Sequence, residues 1–125
     1  MFLISARRKV VSKDESIRPW GHYDILLDSD ECKVKKIVVK AGQRLSYQYH
    51  HKREEHWTVV KGEAMVTLNG NDIVVKAGEH IHIPLKAKHR IANKTDEDVI
   101  FIEVQYGSYF GEDDIVRVED DYERS

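Results

Sequence analysis

Apolar and polar residues alternate along most of this chain in short runs, and no stretch sustains a long helical period. Such period-two alternation, bounded by turn-forming residues, is the signature of half-buried β-strands. Residues 23–27 and 33–39 read as strands joined by the acidic turn 28–31. Residues 63–68 put Ala64, Val66 and Leu68 on one face, and Asn69-Gly70-Asn71 turns the chain into a partner strand at 72–75. After Pro84 come a strand around 89–92, a polar turn at 93–98 and a strongly apolar strand at 99–105. Arg18-Pro19-Trp20-Gly21 is a turn built around one large aromatic, which is read as a plug for one end of a barrel.

One repeat stands out. Ile37-Val38-Val39-Lys40-Ala41-Gly42 recurs identically as Ile73-Val74-Val75-Lys76-Ala77-Gly78, each time as a strand entering a glycine turn. Two copies are too few for a solenoid and too far apart for one hairpin, so two similar halves facing each other are expected. Short strands at regular intervals predict an all-β sandwich or barrel. The 125 residues suit a single domain, with an N-terminal strand and connection at 1–15, a barrel at 16–106 and an acidic tail at 107–125.

Composition narrows the partners. Charged residues make up 34% of the chain yet nearly cancel, leaving a net charge of −2, so no global field favours nucleic acid or an anionic membrane. The single cysteine, Cys32, has no internal disulfide partner, and the basic residues at 7–9 follow a very short apolar run, opposite to a secretory signal. No run spans a bilayer. A cytoplasmic protein with no nucleic-acid or membrane partner is expected.

The densest chemistry lies between Gly42 and Gly62, where Gln48, His50, Glu55 and His56 fall within nine residues. Gln48 and His50 are two apart on an alternating stretch, so they share a face. If 52–54 form a connection, Glu55 returns antiparallel beside His50. His89, on a later strand, is the best fourth ligand. Two imidazoles, a carboxylate and an amide oxygen suit Zn, Fe, Mn, Ni or Co, with zinc as the first expectation, and leave coordination positions open as in catalytic sites. By parity His51 and His56 lie outside this set, and His80 and His82 are read as lining or solvent-facing residues.

Together, 42–62 and 78–93 resemble the two motifs of the cupin superfamily, with Gln48 where the first of the paired histidines usually sits. The wording is narrower still. Arg18-Pro19-Trp20-Gly21, 45–51, 53–57, Val59-Val60, His89-Arg90, Ile102-Glu103-Val104-Gln105 and 111–117 closely resemble the type II mannose-6-phosphate isomerases, over about Ser16 to Tyr122. In that family the domain often forms the C-terminal part of a bifunctional enzyme with a guanylyltransferase domain, an activity that this stretch gives no reason to infer. The resemblance implies a cupin jelly roll, a homodimer, and metal-dependent interconversion of mannose 6-phosphate and fructose 6-phosphate through a cis-enediol. It also places Trp20 near the sugar and Arg53 at a basic position suited to phosphate, with Arg117 a second phosphate candidate.

The base that moves a proton between carbons 2 and 1 stays open among a metal-held hydroxide, Glu103 and a carboxylate from Glu112, Asp113 or Asp114. A non-catalytic sugar- or nucleotide-sugar-binding cupin is the alternative, and a metal-dependent dioxygenase a third. Three departures accompany the match: Tyr47 and Tyr49 replace apolar residues, Lys86 replaces a common glycine, and Tyr122-Glu123-Arg124 replaces a Tyr-Gly-Arg ending.

Overall fold

A computed structural model describes residues 16–122. The strand and connection expected at 1–15, and the altered ending at 123–124, lie outside the described residues. The strands are β1 (Ile17–Arg18), β2 (Gly21–Asp28), β3 (Cys32–Val39), β4 (Tyr47–His50), β5 (Arg53–Lys61), β6 (Glu63–Leu68), β7 (Asn71–Lys76), β8 (His80–Ile83), β9 (His89–Ala92), β10 (Val99–Gly107) and β11 (Ile115–Glu119). They form two antiparallel sheets, ordered β1-β2-β3-β10-β5-β8 and β11-β4-β9-β6-β7. The series β3-β10-β5-β8 facing β4-β9-β6-β7 is the strand order of a jelly roll, with the chain crossing between sheets as it winds.

Local sequence explains the corners. Asn69 and Gly70 both adopt positive φ, 48° and 85°, the geometry a two-residue hairpin demands and an Asn-Gly pair supplies. The repeated hexapeptides end β3 in one sheet and β7 in the other, and each closes through the same turn: Gln43 N–H donates to Lys40 O at 3.0 Å, Glu79 N–H to Lys76 O at 2.9 Å. Gly107 faces Arg53 in the β10–β5 register, where any Cβ would lie 2.3 Å from the Lys52 carbonyl oxygen.

Two expectations are corrected. His50 and Glu55 are not hairpin partners: β4 pairs with β9 and β11, β5 with β10 and β8, and His51-Lys52 carries the chain from one sheet to the other. Nor does the barrel stop at 106. After a 3-10 turn at Glu112–Asp114, β11 pairs with β4, setting Ile115 opposite His50 and Arg117 opposite Gln48. Alternation inside a five-residue strand flanked by acidic residues at 112–114 and 119–121 is easily read as a solvated tail. Ion pairs fasten its far end to the barrel: Arg44 grips Asp121 at 2.6 and 2.8 Å, and Arg90 meets Glu119 at 2.6 Å.

Inward residues on three adjacent strands line up in rungs. Ile37, Phe101 and Val59 form one; Lys35, Glu103 and Trp57 the next; then Gln105 stands beside Glu55, and Gly107 beside Arg53. Val39, Val59, Val66, Ile91, Val99 and Phe101 are essentially inaccessible and make the core at one end. The other end of the same interior is polar.

Candidate metal centre

The polar end is assembled by strand parity. Inward positions of β5 are Arg53, Glu55, Trp57 and Val59, all buried, while the residues between them are more exposed. His89 on β9 pairs in register with Gln48 on β4. Because β4 and β9 lie in one sheet and β5 in the other, His50, His89 and Glu55 meet across the interior, with potential ligand atoms all within 4.8 Å of one another. All three are buried, and the His50 and His89 ring centres are 5.1 Å apart.

Their protonation suits a cation. Burial drives His50 down to about 4 and lowers His89 as well, so both rings are neutral at pH 7. Burial alone would raise the Glu55 carboxyl, but Arg53, followed by His89 and His50, holds it well below the usual carboxylate range. His89 Nδ1–H donates to the Ala87 carbonyl at 2.8 Å, which leaves Nε2 with its lone pair for a ligand. Trp57 Nε1–H donates to Glu55 Oε1 at 2.9 Å and orients that carboxylate. The Gln48 amide N–H donates to Ser46 Oγ at 2.8 Å, so its oxygen is the remaining donor.

The Arg53 guanidinium bridges the set. It lies 2.9 Å from Glu55 Oε2 and 2.9 Å from His50 Nε2. A positive group therefore already sits against two of the lone pairs that a metal ion would use, and neutral imidazoles beside an ionised carboxylate are a donor set that fits a divalent cation. Arg53 is buried, at 4% exposure, yet it lines the neighbouring cavity, where it is held between Glu55 and His50.

The cavity beside this cluster is lined by Trp20, Lys35, Gln48, Glu103, Glu112 and Arg117, among others. Glu103 is buried, and burial followed by the neighbouring Glu55 carboxylate pushes its carboxyl up to about 8. Glu112 sits nearer the rim, 3.4 Å from Lys35 Nζ and 3.5 Å from Arg53 Nη1. Asp113 is not brought to the cavity; it accepts the Tyr109 hydroxyl at 2.5 Å, because the 3-10 turn directs it outward. Its neighbour Asp114 accepts the His51 and Lys52 amides at 3.2 and 3.0 Å and pins the sheet-to-sheet crossing.

His56 stacks on His82 at 4.6 Å on the opposite side of β5, and His82 Nε2 meets Glu54 Oε1 at 2.7 Å, away from the cluster. Tyr47 carries Arg90 at 6.0 Å and Tyr49 meets the His51 ring edge-on at 5.3 Å. Two cavity-lining residues, Arg18 and Lys35, are not among the candidates that the sequence pattern singles out. The signal for Lys35 is nevertheless present: it shares parity with Ile37 and Val39, so a lysine at that position must face inward.

The family model described as mannose-6-phosphate isomerase, C-terminal, matches residues 5–120. The chain is 48% identical over 110 residues to the mannose-1-phosphate guanylyltransferase ManC of Salmonella typhimurium, covering 88% of this chain and 23% of that protein. It is 47% identical over 111 residues to the alginate biosynthesis protein AlgA of Pseudomonas aeruginosa, covering 89% and 23%. The chain thus spans about a quarter of the length of the curated relatives it matches. The capsular polysaccharide assembling protein CapF of Staphylococcus aureus superposes with a TM-score of 0.73 at 21% identity, over 82% of this chain and 33% of that one. An uncharacterized conserved protein with a double-stranded β-helix domain from Klebsiella pneumoniae superposes at 0.72 and 24% identity, over 91% and 100%. Among the described residues no helix is long and apolar enough to cross a membrane.

Proposed function

The chain belongs to the mannose-6-phosphate isomerase C-terminal family of cupin domains, and from that premise we propose that it interconverts mannose 6-phosphate and fructose 6-phosphate with the help of a divalent metal, zinc first. The observation that carries the reading is the juxtaposition of a cluster of two neutral histidines and one carboxylate with an adjoining cavity that a second carboxyl, Glu103, also lines.

His50, Glu55 and His89 would hold the ion, with the Gln48 amide oxygen completing the set. A bound divalent ion supplies Lewis acidity toward the sugar's carbonyl and neighbouring hydroxyl oxygens, which is what acidifies the proton between them.

The chain's own groups do the rest. Glu103 lines the cavity from β10, one rung from Glu55; its raised carboxyl would come down with a divalent ion held on Glu55, leaving it the carboxylate placed to take a proton from one carbon and return it to the next. Glu112, from the rim, is the second candidate; its position beside two cations favours acceptance of a sugar hydroxyl. Trp20, 5% exposed and lining the cavity, gives the sugar an apolar wall and keeps water out. Arg117, from β11, supplies a cation on the wall opposite Glu103's sheet.

The test is isomerisation by metal-stripped protein with Zn, Mn, Co, Ni or Fe added back singly. Turnover is expected to return with a metal and to vanish in His50→Ala and in His89→Ala. A folded protein that binds metal and mannose 6-phosphate yet turns nothing over would instead be a binding module.

A further inference from the structure

The cavity is lined by five cationic side chains and three carboxyl groups. Three of the cations have a carboxylate beside them: Arg53 lies against Glu55, Arg90 turns to Glu119 and the Leu45 carbonyl, and Lys35 meets Glu112. On the wall formed by β1, β2 and β3 stand Arg18 and Lys35. Both sit on the same aromatic ring. Arg18 Cζ is 5.0 Å and Lys35 Nζ 4.4 Å from the centre of Tyr23, and Arg18 Nη2 also donates to the Tyr23 hydroxyl at 3.1 Å.

Lys35 is 5% exposed, a degree of burial that a lysine tolerates only beside negative charge. Burial lowers its affinity for the proton, but Glu112 and Glu103 more than reverse this, so it stays charged. Its ion-pair partner Glu112 is half-exposed and shared with Arg53. A carboxylate held so loosely can be displaced by a stronger anion.

We propose that Arg18 and Lys35, gathered by Tyr23, form the subsite for the phosphoryl group of the substrate, while the His50, Glu55 and His89 cluster takes the carbonyl end. The second half of the ligand rests on the sugar-phosphate reading of the site. The spacing fits a chain with its reacting carbons and its phosphate at opposite ends. β3 and β5 flank β10, so the Lys35 and Glu55 strands are two spacings, roughly 10 Å, apart across one continuous cavity. Glu112 Oε2 lies 3.4 Å from Lys35 Nζ and 3.5 Å from Arg53 Nη1, so a phosphoryl group that displaces it meets the edge of the Arg53 guanidinium as well.

The test is equilibrium binding of mannose 6-phosphate, inorganic phosphate and unphosphorylated mannose to the zinc-loaded full chain. It is read by tryptophan fluorescence, since Trp20 and Trp57 both line the cavity. Lys35→Met and Arg18→Gln are each expected to weaken mannose 6-phosphate by about tenfold or more, the loss of one charge-assisted contact, with zinc content and mannose binding unchanged. Glu112→Gln, which removes the competing anion, is expected to tighten phosphate, an effect a merely structural role for Lys35 would not produce. Should Lys35→Met fail to fold, Lys35→Arg and Arg18→Gln decide: retained affinity in the first and lost affinity in the second support the subsite. Wild-type affinity for mannose 6-phosphate in both Arg18→Gln and the lysine variant overturns it, as does a wild-type protein that binds no phosphorylated ligand. Phosphate binding lost in the variants, in a wild-type protein without turnover, keeps the subsite and removes the isomerase. Turnover with an unaltered KM in both variants does the reverse.

Discussion

The two ends of the barrel interior are built from the same strands with the same inward parity, yet they obey different rules. Moving along β10, the inward residues run Val99, Phe101, Glu103, Gln105; along β5 from the other direction they run Val59, Trp57, Glu55, Arg53. At one end these inward side chains are apolar and close packing holds them. At the other, each buried charge needs a partner, and the interior is a chain of them: Arg53 with Glu55 and His50, Lys35 with Glu112, Gln105 with Glu103. Strand alternation decides which residues enter the barrel; it does not decide that they be apolar. The polar end gives up packing strength for a set of buried charges held in pairs.

The sharpest way to separate the ends is to damage each and add metal. Phe101→Ala at the apolar end is expected to cost about 3–5 kcal/mol of unfolding free energy, the usual loss for a large buried ring, and zinc should not relieve it. Arg53→Met at the polar end leaves the Glu55 carboxylate buried and unpaired, with an expected loss of about 3–5 kcal/mol in metal-free protein. Here zinc should restore most of it, because the ion replaces the missing positive charge. Denaturant melts with and without zinc measure both; equal rescue of the two variants would erase the distinction between the ends.

Acid should single out the polar end next. The His50 ring titrates near 4 in the fold against about 6.5 in a free chain, so between those values the unfolded state holds more protons. Metal-free protein should therefore lose stability as pH falls from about 6.5 toward 4, by on the order of 3 kcal/mol from this residue. In His50→Gln that part of the slope should disappear, while Phe101→Ala should keep it.

The smallest expected effect lies just behind the candidate metal ligands. Lys86 adopts φ 64°, a left-handed conformation that glycine takes without strain, and its N–H donates to the His50 carbonyl at 2.9 Å. Lys86→Gly should stabilise the fold by about 1 kcal/mol through relief of that strain. A loss of stability would mean that the stiffness of lysine in the unfolded chain outweighs it.

Much of the molecule is legible in its amino-acid sequence. The spacing of Gln48 and His50, the alternation through Glu55 and Trp57 and the Asn69-Gly70 hairpin all follow from period-two geometry and backbone preference, which act over a few residues, whereas Lys86 stands out only against the family resemblance. Lys35 is legible too, by the same parity as Ile37, but its chemistry hides it because lysine is ordinarily a surface residue.

What local pattern could not reach was everything that depends on which strand lies beside which. Whether His50 and Glu55 share a sheet or face each other across the interior, whether β11 is a tail or a wall of the cavity, and whether Arg53 reaches outward or folds onto the ligands are contacts between residues or strands whose partners come from elsewhere in the chain. The amino-acid sequence by itself determined the strands, their inward faces and the chemical types that could hold a metal. Only the tertiary structure decided that those faces converge, because convergence is set by the crossing of the chain between two sheets and by burial, which turns separate side chains into one electrostatic unit.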